Sequence, residues 1–385
     1  MGEAFLRKRA GGESFMAFTA MTWQSAVMLV IGVLLIYLAV RHKMEPSLLL
    51  PMGVGTILMN VPMSGAAEIV KSVYDLGIGG ITLENGRVLV GAELMPCLLF
   101  IGIGAMLDFE PLFQNPKVLI FGVFAQAGIF IAMGLALLCG FELKDAISIG
   151  IIGAADAPTA IIVADKAGSS YMGAIMVAAY SYIALVPIIQ PLVIRALTTQ
   201  KERLIRTAYK QKRIPKAFTI CFPVAVTVIC GLAVPQSLSL VGTLMFGNLL
   251  RECGVVDSLA EVAKTTLTDL ITLFLGFAVA YKMQGAEFLR LDTLMILGFG
   301  LLAFVFDTAA GVLIAKIMNL FLKEKINPMI GAAGISAFPM SARVVQKEGL
   351  KADSTNHLLM PAIGANISGQ LCSAIIGGIL LQLFI

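Results

Sequence analysis

Apolar runs long enough to cross a bilayer recur along this 385-residue chain, and they leave few architectures open. Residues 118–139 and 294–318 each carry the roughly 20 apolar residues that a spanning helix needs, and 25–40 comes close. Hydrocarbon offers no partner to a peptide group, so such runs must close their hydrogen bonds internally, as helices do. Composition agrees: 58% of residues are hydrophobic and 14% charged, where soluble domains are nearer one quarter charged. The chain reads as an all-α polytopic membrane protein with almost nothing left for a soluble domain.

Candidate spans fall at 24–40, 47–62, 94–107, 117–139, 145–164, 171–194, 217–250, 268–283, 293–318, 327–346 and 358–385. The run 217–250 is too long for one simple span, and 145–164 and 327–346 are polar in the middle. Residues 63–92 form the longest polar interval and read as an extramembrane loop. The predicted organisation is a leader at 1–23, a first membrane half at 24–194, a basic loop at 195–216 and a second half at 217–385. The leader carries Arg7, Lys8 and Arg9 but no apolar core running to a cleavage site, so it reads as interfacial rather than as a removed signal.

Arg195, Lys201, Arg203, Arg206, Lys210, Lys212, Arg213 and Lys216 crowd one short span, broken by the single acid Glu202. Between two apolar segments this is a cytoplasmic loop by the positive-inside rule, not a nucleic-acid patch. Arg41, His42 and Lys43 look cytoplasmic too, yet five candidate segments lie between the two clusters. Ends on one side need an even number of crossings, so one segment dips and returns or one cluster is misplaced. The six cysteines have no C-x-x-C spacing and sit mostly in apolar runs, which implies neither disulfides nor zinc.

The chain repeats itself. "IGAAD" at 152–156 returns as "IGAAG" at 330–334, and "LFIGIGAML" at 99–107 is echoed by "LFLGFAVAY" at 273–281, in the same order. Two internal repeats are the expectation. Interrupted segments in corresponding halves point to a transport site.

Both interruptions carry chemistry. In "GAADAPTA" Pro158 and the small residues break the helix, which places Asp156 at the broken tip with Thr159 one turn on. A carboxylate, a hydroxyl and freed carbonyls make an all-oxygen site suited to a hard cation. The competing reading is a structural carboxyl that caps a helix. "INPMIGAAGISAFPMSARVVQKEG" at 326–349 is interrupted at Asn327-Pro328, loosened at Gly331 and Gly334, and interrupted again at Pro339. It offers Ser336 and Ser341 as hydroxyls and Arg343 as a planar fork for a carboxylate, or as an arginine reaching for head groups. "GANISGQ" at 364–370 sets Asn366 between glycines, as an oxygen ligand or as a link to a neighbouring helix. Tyr180 and Tyr182 precede a proline-containing stretch. Asp307 has no acidic counterpart in the first half and reads as pairing with a neighbouring helix. Asp165, Lys166, Lys347 and Glu348 read as solvated ends.

Over nearly its whole length, from about Glu45 onward, the chain resembles the β subunits of the sodium-pumping biotin-dependent decarboxylases. These act on oxaloacetate, methylmalonyl-CoA or glutaconyl-CoA. The likeness is strongest in "GAADAPTA", "NPMIGAAGISAFPMSARV" and "GANISG". It implies two inverted repeats with discontinuous helices at the midplane, in a membrane subunit that releases CO2 from carboxybiotin carried on a partner, exports Na+ and consumes a proton. It implies Asp156 as the sodium-site carboxylate, Asn366 as a second ligand and Ser336 on the ion and proton path. Arg343 would hold the carboxyl of carboxybiotin, Asn327 and Gly331 occupy functional positions of the motif, and Tyr182 matches a coupling tyrosine. Implied partners are a carboxyltransferase α subunit, a biotin carrier protein, a small membrane subunit and further copies of the chain in a trimer. The implied location is the bacterial cytoplasmic membrane. Two departures stand out: Ala157 where the family commonly has glycine, and Ala365 where it has proline. The chain has no Met-Lys-Met biotin segment and no carboxyltransferase domain. A secondary Na+-coupled antiporter or symporter is the alternative that composition and breaks alone would equally fit.

Overall fold

The computed structural model describes residues 20–43, 46–62, 64–82, 88–90, 93–207 and 214–384. Most of the expected leader, Glu45, and Lys210, Lys212 and Arg213 of the basic loop lie outside them. Among the described residues the regular structure is helical but for one short antiparallel pair, β1 (Ile81–Thr82) with β2 (Val88–Val90), in the polar interval.

In chain order the helices are α1 (Trp23–His42), α2 (Pro46–Asn60), α3 (Ala66–Tyr74), α4 (Leu94–Met106), α5 (Glu110–Gln114), α6 (Leu119–Phe124) and α7 (Ala127–Leu138). Then come α8 (Leu143–Gly150), α9 (Ala157–Lys166), α10 (Met172–Leu197), α11 (Gln200–Arg203), α12 (Lys216–Ala233), α13 (Leu238–Cys253) and α14 (Asp257–Val262). Last are α15 (Thr268–Val279), α16 (Gly285–Phe288), α17 (Leu291–Phe321), α18 (Met329–Ala332), α19 (Met340–Ala352) and α20 (Leu359–Phe384). Among the described residues, seven helices or near-continuous helical stretches are long and apolar enough to cross a membrane: Trp23–His42, Pro116–Leu138, Met172–Leu197, Lys216–Ala233, Asp257–Lys282, Leu291–Phe321 and Leu359–Phe384. The protein is a multi-pass membrane protein.

The long run 217–250 resolves into two helices. Val234 leaves helical geometry and a single 3-10 turn, Pro235–Ser237, returns the chain so that α12 packs against α13. Pro116–Leu138 is likewise interrupted, at Ala125 and Gln126, between α6 and α7.

Two compact units emerge. The first comprises the described residues of Met1–Met95 together with Asp269–Leu294. In it α1 and α2 approach until a Cβ on Gly53 would stand 2.7 Å from the Gly32 carbonyl oxygen, a contact that requires small residues. Asn60 ties α2 to the start of α16: its Nδ2 donates to the Met283 carbonyl at 2.7 Å and its Oδ1 accepts from Gly285 N at 2.9 Å.

The second unit comprises Pro96–Thr268 and Met295–Ile385, and it holds both polar interruptions. The first lies between α8 and α9. A 3-10 turn, Ile151–Ala154, ends in Ala155 at φ 55°, and Asp156 is the extended N-cap of α9 with Pro158 in the first turn. A non-glycine residue in the left-handed region costs roughly 1–2 kcal/mol, while an N-cap Asp followed by proline favours restarting a helix. Ala157 is the first helical residue of α9, so its Cβ needs no special backbone, and Ala365 lies inside α20, where proline would have removed a hydrogen bond. The second interruption runs from α18 through non-helical residues 333–339 to α19. Along α17, Gly300, Ala303, Asp307 and Gly311 share one face. Cβ atoms built on Gly153 and Gly331 would meet this face at Ala303 and Gly311, so α17 backs both interruptions.

Candidate functional site

The interruptions meet. Ser336 N donates to the Ala154 carbonyl at 3.2 Å, joining the second break to the residue just before the first break's left-handed turn. Helix α20 lies against the crossing. Its Asn366 Nδ2 donates to the Ile335 carbonyl at 2.6 Å, and the Gly369 carbonyl accepts from Ser336 Oγ at 3.0 Å. A Cβ on Gly369 would sit 2.8 Å from the Gly334 carbonyl carbon, so glycine is what lets α20 come this near.

Asp156 is 3% exposed, and its Oδ2 accepts three neutral hydrogen bonds. Thr159 Oγ1 donates at 2.6 Å from its own helix, and Ser373 Oγ at 2.8 Å and Gln370 Nε2 at 3.0 Å donate from α20. The N-terminus of α9 adds its aligned N–H groups, which favour negative charge there. Asn366, Gln370 and Ser373 are spaced four and three residues apart, so α20 presents them on one face. Several acceptor oxygens here are buried without a hydrogen-bond partner among the described residues: Asn366 Oδ1, Gln126 Oε1 and Tyr180 Oη. Gln126 stands at the interruption between α6 and α7 and points its Nε2 toward Ser336 Oγ (3.5 Å) and the Gly369 carbonyl (3.4 Å). The described residues contain no group of three or more His, Cys, Asp or Glu able to hold a metal ion. The site therefore offers one carboxylate among neutral oxygens, a low-charge environment that suits a hard monovalent cation better than a divalent one.

Asp156, Thr159, Ser336 and Asn366 are thus gathered at one crossing. The other sequence candidates are not. Asn327 is fully buried and committed elsewhere: Nδ2 donates to the Arg203 and Ile205 carbonyls at 2.9 and 2.8 Å, its N donates to Thr207 Oγ1, and Oδ1 accepts from Met329 N. Gly331 packs on the Gly311 backbone. Tyr182 is buried and donates to the Leu297 carbonyl on α17. Arg343 projects from α19 as an exposed side chain, and no described residue pairs with it.

Further along α19 the structure corrects one expectation. Glu348 is not a solvated end but is 3% exposed, gripped by Arg195 Nε and Nη2 at 2.7 and 2.9 Å and by Lys351 Nζ at 2.8 Å. Burial opposes its charge, and the Arg195 and Lys351 bonds outweigh that, holding its carboxyl below the ordinary value. The described part of the basic loop is therefore a structural strap, with Arg206 on Asp353 at 2.7 Å and Lys316 on Glu202 at 3.1 Å.

The family model described as the Na+-transporting oxaloacetate decarboxylase beta subunit matches residues 24–384. The chain belongs to the family of Na+-transporting decarboxylase beta subunits. It is 46% identical to the methylmalonyl-CoA decarboxylase subunit beta of Propionigenium modestum, with 95% of this chain and 96% of that one aligned. It is 43% identical to the glutaconyl-CoA decarboxylase subunit beta of Acidaminococcus fermentans, with 95% of both chains aligned. The oxaloacetate decarboxylase beta chain of Klebsiella pneumoniae is 40% identical, over 93% of this chain and 94% of that one. As a beta subunit it is one component of a multi-subunit decarboxylase.

Within this beta subunit, Gln370, Ser373 and Gln126 complete the site and were not singled out from sequence. Gln370 and Ser373 had a readable signal, since they follow Asn366 at helical spacing. Gln126 had none, because nothing local marks the interruption at Ala125 and Gln126.

Proposed function

We propose that this chain decarboxylates carboxybiotin and couples the release of CO2 to Na+ export, with one proton consumed. The reading is carried by the crossing itself: a single buried carboxylate set among neutral oxygens, on backbone that is broken from two sides. Asp156 supplies the charge for Na+. Asn366 Oδ1, the Ser336 and Thr159 hydroxyls and freed carbonyls are the neutral ligands that would replace its hydration shell. Arg343, exposed and unpaired among the described residues, is free to grip the carboxyl of carboxybiotin through its planar fork.

The chemistry balances as N-carboxybiotin plus a proton giving biotin and CO2. The leaving nitrogen must be protonated as the N–C bond breaks, so the proton has to be delivered locally. Ser336 lies at the crossing and Tyr182 against α17, and we assign them to the ion and proton path. Asn327 and Gly331 hold the second interruption in place for Arg343. The biotin carrier, the carboxyltransferase α subunit and a small membrane subunit complete the complex, with the chain itself as a trimer in a bacterial cytoplasmic membrane. The identity of the carboxylated acid or acyl-CoA rests with those partners.

The test is CO2 release from carrier-bound carboxybiotin by the assembled complex, with and without Na+. Wild type should release CO2 only with Na+. A unit charge about 4 Å from a cation is worth roughly 4 kcal/mol at an effective dielectric of 20. Asp156→Asn should therefore lose about three powers of ten in apparent Na+ affinity. Full Na+-dependent turnover by that variant would sink the assignment. A Na+-coupled antiporter shares the broken helices but has no use for a carrier, and would move ions in liposomes without one.

A further inference from the structure

Asp307 is a fully buried carboxyl group in the same unit as Asp156, and no step above uses it. It sits midway along α17. The backbone N–H of Gly128, in the first turn of α7, donates to Oδ1, while Oδ2 is buried with no hydrogen-bond partner among the described residues. Two glycines make room for it. A Cβ on Gly128 would stand 2.6 Å from Oδ1, and one on Gly153 would stand 2.9 Å from Oδ2. An ionised carboxylate here would carry charge on an oxygen that nothing donates to, an arrangement that apolar surroundings strongly disfavour.

The placement ties this group to the crossing from two directions. Gly128 follows Gln126 by two residues, and Gln126 reaches Ser336 and Gly369. Gly153 immediately precedes Ala154, whose carbonyl accepts from Ser336 N, and stands three residues before Asp156. Neither contacting segment, residues 127–138 nor residues 151–154, carries an ionisable side chain, and on α17 itself the only others are Asp292 and Lys316.

We propose that Asp307 is a second cation-holding site of the transport unit, that its occupant is a proton, and that exchange of this proton moves the Asp156 site. This rests on the proposed function above. In the packed state the proton is bonded to Oδ2. On release the O–H bond breaks, its electron pair stays on the carboxylate, and the proton passes to an incoming water. Oδ2 then needs donors. Water entering between α17 and the two glycine-lined segments shifts Gln126 on one side and the chain leading to Asp156 on the other. Sodium binding and proton release are thereby coupled through backbone rather than through a chain of side chains.

The test is Na+-induced infrared difference spectroscopy on the intact complex in liposomes, in H2O and D2O, beside turnover. Wild type should show a protonated-carboxyl C=O band that moves on Na+ addition and shifts in D2O. Asp307→Asn keeps an acceptor for Gly128 N but has no exchangeable carboxyl proton. It should lose that band and at least tenfold in turnover and, fixed in the uncharged form that Na+ binding opposes, should need at least threefold more Na+ for half-saturation. Asp307→Glu restores a protonatable group and should return the band at a displaced frequency, so the proposal stays open to refutation if the Asn variant fails to assemble. A wild-type spectrum with no Na+-sensitive carboxyl band, or an Asn variant with the band and full turnover, overturns the proposal. A wild-type complex whose CO2 release ignores Na+ would overturn the proposed function instead, whatever the spectra show.

Discussion

Gly331→Ala separates two meanings of a glycine in this site. A Cβ at position 331 would lie 2.6 Å from the Gly311 carbonyl carbon and 3.1 Å from the Ala315 Cβ. The Gly311 carbonyl oxygen would stand closer still, and ordinary contact begins near 3.4 Å, so α17 and the second interruption must part by about 1.5 Å. The opposing atoms are backbone and cannot rotate away. That sets the penalty toward the upper end of the ~1–3 kcal/mol that overpacking usually costs. Gly311→Ala meets the reciprocal obstacle, with the Gly331 carbonyl carbon at 2.8 Å. Both single variants should therefore lose thermal stability and Na+-dependent decarboxylation together. The double variant should lose much less than the sum, because the gap is opened once, and a coupling energy of about 1–3 kcal/mol is expected. The assay is a double-mutant cycle on the purified complex, with detergent-phase unfolding and CO2 release measured in parallel. If Gly331→Ala abolishes turnover at unchanged stability while Gly311→Ala is silent, the spacing argument is wrong and Gly331 meets substrate directly.

Asn327→Asp replaces two buried donors by acceptors facing the Arg203 and Ile205 carbonyls. It should release the strap by about 2 kcal/mol or more, seen as roughly 30-fold faster tryptic cleavage after Arg203 and Arg206; unchanged cleavage would refute the latch. Glu348→Gln keeps shape but removes the charge between Arg195 and Lys351. Since those partners are 45% and 50% exposed, solvent screening limits the loss to about 1 kcal/mol, which should shrink further at high salt in unfolding measurements. Asp353 is held down to about 2 from an ordinary 3.8, chiefly by the Thr355 backbone N–H and hydroxyl and then by Arg206. A depressed carboxyl stabilises the fold fully above its unfolded value. The Arg206–Asp353 attachment should therefore persist at pH 4 and be lost as pH falls toward about 2. Pepsin cutting at 203–207, normalised to an unstructured reference peptide at each pH, should rise more steeply over that window in wild type than in Asp353→Asn.

Much of the site was legible locally. Asp156 next to Pro158 announces a broken helix because proline cannot donate and an N-cap aspartate favours a restart. Asn327 was legible as important but not in its role. Its neighbours in sequence give no hint that its amide would be spent on carbonyls more than 120 residues away. Glu348 misled for the same reason, since Arg195 reaches it across 153 residues.

Sequence alone determined the helical, multi-pass character, the two polar interruptions and the carboxylate at the first. Each follows from rules that act within a few residues: the thickness of the bilayer, the missing N–H of proline, the spacing of apolar side chains. Only the tertiary structure decided what surrounds that carboxylate. Gln370 and Ser373 arrive from 214 and 217 residues along the chain, and Ser336 meets Ala154 because glycines let α17 and α20 approach both breaks. Such meetings depend on how whole helices pack, which no local preference encodes.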